Sequence, residues 1–210
     1  DAEMYFQRLL ATGERTTEAH FYLGQIAEEQ GQWSLAISHY QQIPPGPDFL
    51  ASTNRITGVY IKQQQVDKAR LYLASLRQLY PEDSVRFYLI ESQALMSLRQ
   101  LDECQQLLDE ALLSYPGDES LLYARSSVSE KRRDYVSMER DLRQIIGQNP
   151  DNAIALNALG YVLVNQNIRL DEAEQLLNRA IQLQPGEPAI LDSLGWLHYR
   201  RGYLDRALNY

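Results

Sequence analysis

The chain has 210 residues, 44% of them apolar and 23% charged, with 28 acidic against 20 basic side chains for a net charge of −8. That balance is ordinary for a globular chain, and it argues against a sequence-independent grip on nucleic acid, which needs a basic patch. Apolar runs are short, Tyr161 to Val164 being typical of the longest, so none of them spans a bilayer.

In chain order, residues 1–16 read as a single helix with Ala2, Phe6 and Leu9 on its apolar side. They match the second half of a repeat whose first half does not precede them. Units of 33 to 35 residues then follow at 17–49, 50–84, 85–118, 119–152 and 153–187, with a partial unit at 188–210. Each complete unit predicts two amphipathic helices. The eighth position is small in every unit: Gly24, Thr57, Ser92, Ser126, Gly160 and Gly195. A second contact position carries Ala36, Ala69, Cys104, Met138, Ala173 and Ala207. Small residues at both points let antiparallel helices approach closely. Cys104, the one cysteine, therefore reads as a small buried hydrophobe.

The turns are punctuated. Pro81, Pro116, Pro150 and Pro185 recur beyond the second helix, where proline stops propagation. Ser84, Asp118 and Asn152 are expected helix caps, and Pro188 a first-turn proline. Gly31 and Gly202 fall at the bend inside their units, where a left-handed residue is easily housed. An extra residue in the unit 153–187 predicts a longer inner turn. Because the array begins and ends on incomplete repeats, we expect it to be an excerpt of a longer one, needing caps elsewhere.

Chemistry is hard to place on this chain. His20, His39 and His198 occupy three different repeat positions, outside any metal-ligand spacing, so no metal or cofactor is expected. No phosphate loop or nucleophile elbow is present. Glu28–Glu29 and Glu172–Glu174 read as solvated charge, and Lys131 to Arg133 as an offset to a helix dipole. No catalytic residue is expected, and the chain reads as a non-enzyme. Two charges do misfit. Glu91 and Arg125 stand on the normally apolar seventh position of neighbouring units, which predicts either a structural ion pair between them or two side chains that snorkel to solvent.

The strings TEAHFYLGQIAEEQGQWSLAISHYQQI (17–43) and LNALGYVL with DEAEQLLNRAIQLQP (156–185) resemble the tetratricopeptide repeat, and the likeness covers essentially the whole chain. The resemblance implies an all-α, right-handed superhelical solenoid whose first helices line a concave groove. On its inward-looking positions stand Phe21, Gln25, Asn54 and Ile61, then Leu89, Gln93 and Met96, then Tyr123. The last two units add Ile154, Asn157, Tyr161, Val164, Asp192, Trp196, Tyr199 and Arg200. Aromatics there offer contact area with few rotors to freeze, and an Asn amide at the fifth position can hold an extended peptide backbone. The alternative is that these residues pack on further repeats or on a folded partner. The Lys and Asn set of the carboxylate-clamp variant is absent, so a chaperone tail is not the expected ligand.

A narrower likeness rests on EAHFYLGQIAEEQG, LLYARS and, most sharply, residues 153–208. These resemble the bacterial outer-membrane tetratricopeptide lipoproteins that act as adaptors for a periplasmic carboxyl-terminal processing protease. The resemblance implies a non-catalytic adaptor that holds the protease and presents its protein substrates, cell-wall hydrolases. It also implies a periplasmic site, with a lipid anchor outside residues 1–210. The other reading is a general envelope scaffold serving pilus or secretion machinery.

Overall fold

The computed structural model describes residues 2–210, and among them every regular element is helical. α1 spans Ala2–Thr12. The pairs α2 (Thr16–Glu29) with α3 (Trp33–Gln41) and α4 (Phe49–Lys62) with α5 (Val66–Leu79) follow, then α6 (Ser84–Ser97). Beyond it come α7 (Leu101–Ser114), α8 (Glu119–Lys131) with α9 (Tyr135–Gln148), α10 (Ala153–Asn165) with α11 (Leu170–Leu183), and α12 (Pro188–Arg200) with the short α13 (Leu204–Ala207). The chain divides into two compact units, Asp1–Gln100 and Leu101–Tyr210, and the boundary falls between α6 and α7, inside the third sequence repeat.

In the first unit the α2–α3 pair closes on one small residue. A Cβ on Gly24 would stand 2.5 to 2.8 Å from the Tyr40 ring of α3, so the ring lies where a side chain would have been. Tyr40 is buried with Ala27, Ala36, Ile43 and Ile56, and its hydroxyl donates to Glu28 at 3.0 Å. Burial and the Glu28 charge push the Tyr40 hydroxyl well above the ordinary tyrosine range. A second apolar cluster joins Phe49, Leu73, Leu76, Phe87 and Ile90. In the second unit Gly160 repeats the device, with Leu177 of α11 at 2.7 Å from the added Cβ. Cys104 is fully buried, as its position in the repeat predicts.

The inner turns share one backbone shape. Gly31, Gln64, Arg99, Arg133, Asn167 and Gly202 all have positive φ. At each of them the amide hydrogen-bonds back in the Schellman pattern; at Gly31, for example, Gly31 N–H donates to Glu28 O and Gln32 N–H to Ala27 O. Glycine supplies this geometry at only two of the six, so paired hydrogen bonds rather than residue type hold the bend. Asp118 and Asn152 cap as expected, accepting from the amides of Leu121 and Ala155. Ser84 does not cap: its hydroxyl donates to the Arg77 carbonyl, because Pro81–Asp83 forms a 3-10 turn that carries the chain directly into α6. Asp134 is a cap that sequence reading passed over, accepting from Ser137 N–H.

Repeats within each unit are also tied by charge about thirty residues apart. Lys62 donates to Glu28 at 2.5 Å in the first unit. In the second, Arg132 pairs with Asp102, Arg201 with Asp171 at 2.6 Å, and Arg169 with Glu139. Arg132 therefore serves a neighbouring repeat as well as the end of its own helix. The hydrogen bonds from Arg169, joined by Arg143, hold the Glu139 carboxyl down to about 2.

Three substitutions test this packing and charge. Gly24→Ala should cost about 1–3 kcal/mol in chemical denaturation, since the Tyr40 ring must move. Gly58→Ala, whose Cβ meets nothing within 4 Å, should instead raise stability by about 0.5–1 kcal/mol by helix propensity. The Glu139 carboxyl is held below its unfolded value of 4.5, so its contribution is full above that pH and is lost as pH falls through about 2. Glu139→Gln should flatten the loss of stability between pH 4.5 and 2, read as the urea midpoint against pH.

Candidate protein-binding groove

The misfit charges are resolved separately in the two units, and the expected Glu91–Arg125 pair is not how either is satisfied. Glu91, 2% exposed, receives Arg70 Nε at 2.9 Å and an Arg77 guanidinium nitrogen at 2.7 Å, both from α5. The Arg77 guanidinium also lies over the Tyr88 ring, 4.2 Å from its centroid. Arg125 reaches back and forward instead, forking onto the fully buried Asp141 of α9 at 2.7 and 2.8 Å and onto Asp109 of α7 at 2.7 Å. The planar guanidinium suits this bidentate grip. The physical reason for the correction is reach: each charge finds an opposite one on the second helices packed against its own, where sequence comparison of first helices does not look.

The inward-looking residues of the first unit serve mixed purposes. Phe21 is half-buried and packs edge-on against Tyr40, with ring centroids 5.9 Å apart, so it belongs largely to the core. Asn54 is exposed, but its amide donates to Leu50 O of its own helix at 3.2 Å. Gln25 and Leu89 are half-buried and Gln93 is exposed on α2 and α6.

In the second unit the expected residues converge. Tyr123 of α8 and Asn157 and Tyr161 of α10 line one pocket of about 180 Å3 with Ser126, Glu130 and Met138. Tyr161 also lines a larger cleft of about 1060 Å3 with Asn165, Asp192, Trp196, Tyr199 and Leu204. The Trp196 indole N–H donates to Asn165 Oδ1 at 2.9 Å, its ring stacks on Tyr199 at 5.3 Å, and Arg200 lies over it at 5.5 Å. The indole is thus locked while Tyr199 stays about half exposed. Burial of the Tyr123 hydroxyl raises it above the ordinary tyrosine range, and the Glu130 charge adds to this. Val164, expected on this surface, is fully buried core instead.

Glu130 and Asn165 are site residues that the sequence reading omitted. Both fall on the inward-looking twelfth and thirteenth positions of their units, so repeat register was the signal that could have found them. Among the described residues no three or more His, Cys, Asp or Glu side chains are grouped so that they could hold a metal ion. His20 and His39 instead meet at 3.1 Å between Nδ1 atoms, a hydrogen bond between neutral rings, and burial holds both below the ordinary histidine value.

The buried charge makes a direct prediction. Arg125→Ala should cost about 3 kcal/mol, because it leaves the fully buried Asp141 with only the exposed Arg140 of its own helix, at 3.1 Å, as a counter-charge. A double-mutant cycle with Asp141→Ala should be strongly non-additive in equilibrium unfolding, and additive costs would show that the fork does not couple the two helices.

Comparison with known proteins agrees with this architecture. Models of the tetratricopeptide repeat match residues 1–48 and 139–188, and another matches 56–83, together more than half of the chain. The TPR repeat-containing protein PA4667 of Pseudomonas aeruginosa is 46% identical over 192 residues, which are 91% of this chain and 32% of that protein. The chloroplastic tetratricopeptide repeat domain-containing protein PYG7 of Arabidopsis thaliana is 29% identical over 59% of this chain and 41% of its own length. The chain thus spans less than half the length of these relatives. Among solved structures, MamA from Desulfovibrio magneticus matches 78% of this chain and 91% of its own, with a TM-score of 0.59 and 18% identity. A tetratricopeptide repeat protein from Parabacteroides merdae matches 93% and 77%, with a TM-score of 0.63 and 16% identity. At such identities the likeness is one of fold alone. Period, small-residue contacts and matched models converge: the chain belongs to the tetratricopeptide repeat family.

Proposed function

We propose that this chain is the protein-binding array of a cell-envelope adaptor. It holds a carboxyl-terminal processing protease and presents protein substrates, cell-wall hydrolases, to it. The family generally works as a non-catalytic scaffold for protein–protein contacts. The observation that carries the reading furthest is the groove of the second unit, where Tyr123, Asn157, Tyr161, Trp196 and Tyr199 gather on successive first helices. Locked aromatic rings beside amide groups suit an extended protein segment. The choice of protease and of a periplasmic, outer-membrane-anchored setting is supported by the resemblance of residues 153–208 to the adaptor lipoproteins. Holding enzyme and substrate on one array would raise their effective concentration, and so the cleavage rate, without any catalytic group here.

Titration calorimetry of the chain against the purified protease from the same cell tests this. Binding at micromolar affinity or tighter is expected, with faster substrate cleavage when the chain is added. Asn157→Ala combined with Tyr161→Ala should weaken substrate capture about tenfold or more while leaving the helical circular dichroism unchanged. Capture unaltered by that double variant would move the site off this groove. Stable association with other envelope proteins but not with the protease would favour an assembly scaffold for pilus or secretion machinery.

A further inference from the structure

The smaller pocket of the second unit has a polarity that its aromatic walls conceal. Among its polar groups are two acceptors left without a donor. The Glu130 carboxylate makes no ion pair or hydrogen bond among the described residues, whereas Asp102, Asp109 and Asp141 of the same unit are each paired with an arginine. Asn157 Oδ1 is buried and has no hydrogen-bond partner. The Ser126 and Ser127 hydroxyls spend their hydrogens on the Tyr123 carbonyl, at 2.7 and 3.0 Å, so their oxygens keep only acceptor capacity. Tyr123 and Tyr161 line the same pocket, and the faces of aromatic rings carry negative potential.

We propose that this pocket, formed by Tyr123, Glu130, Asn157 and Tyr161, receives a lysine or arginine side chain of the bound protein. The inference rests on the groove reading above and names what part of that groove selects. A cation with several N–H donors would satisfy Asn157 Oδ1 and Glu130 together, while the two rings contribute cation–π attraction. Its aliphatic stem would lie against Met138, which lines the same pocket. The volume, about 180 Å3, equals the share of roughly six waters, enough for one long side chain and too little for a folded element. An apolar guest would bury Asn157 Oδ1 and Glu130 without donors, and an acidic guest would meet Glu130 directly, so both are disfavoured. The net charge of −8 draws basic segments toward the chain in general, but only the pocket distinguishes one residue from its neighbours.

The test titrates isotope-labelled chain with three capped heptapeptides, each with three alanines on either side of a central lysine, norleucine or glutamate. The lysine peptide should shift the Asn157 side-chain amide resonances and bind about tenfold tighter than the other two. Glu130→Gln should erase that preference, whereas Glu103→Gln, an exposed carboxylate on α7, should leave it intact. Equal binding of the norleucine peptide, a preference that survives Glu130→Gln, or no shift at Asn157 with any peptide would each overturn the cationic pocket. The groove itself is judged separately, by whether the Asn157→Ala and Tyr161→Ala pair still captures protein substrate.

Discussion

How closely two antiparallel helices can approach decides nearly everything else in this molecule. At Gly24 the Tyr40 ring occupies the space a side chain would fill, and at Gly160 the Leu177 side chain does the same. That contact sets the spacing of the pair, and the pair sets which first-helix residues are left facing outward. Had the helices stood farther apart, the second contact position would need bulk, and the buried alanines at 36, 69 and 173 would line voids. The groove is therefore a by-product of small residues that never touch a ligand.

Charge supplies a second layer of order. Glu28, Glu91 and Asp141 are buried carboxylates, and each is met by cations from a neighbouring helix. Such pairs contribute little net stability compared with an apolar substitute, but they tolerate only one register between helices. The exposed pairs about thirty residues apart act more weakly and are screened by salt. Together they favour, within each unit, one stacking of a repeat on the next over slipped alternatives that would satisfy the apolar faces equally well.

The helical period, the close contacts and most caps could be read from the sequence because each depends on a local residue pattern that recurs. Asp118 and Asn152 were legible as caps for that reason; Ser84 was not, because a 3-10 turn shifted the helix entry. Glu91 and Arg125 were recognised as misfits, but their partners lie on second helices at no fixed repeat spacing, so the pairing itself was beyond pattern. In the groove, Tyr123, Asn157 and Tyr161 were found through repeat register and chemical type together. Glu130 shared the register but not the expected type, and Val164 shared the register yet lies fully buried in the core.

Tyr161 lines both the small pocket and the larger cleft. One ring is thus a party wall between two compartments, and its position cannot suit both occupants independently. A bulky guest that presses the ring one way narrows the adjoining space, so neighbouring residues of a bound segment are read as a pair rather than one at a time. Recognition of this kind has a grammar: what is acceptable at one place depends on what has been written at the next.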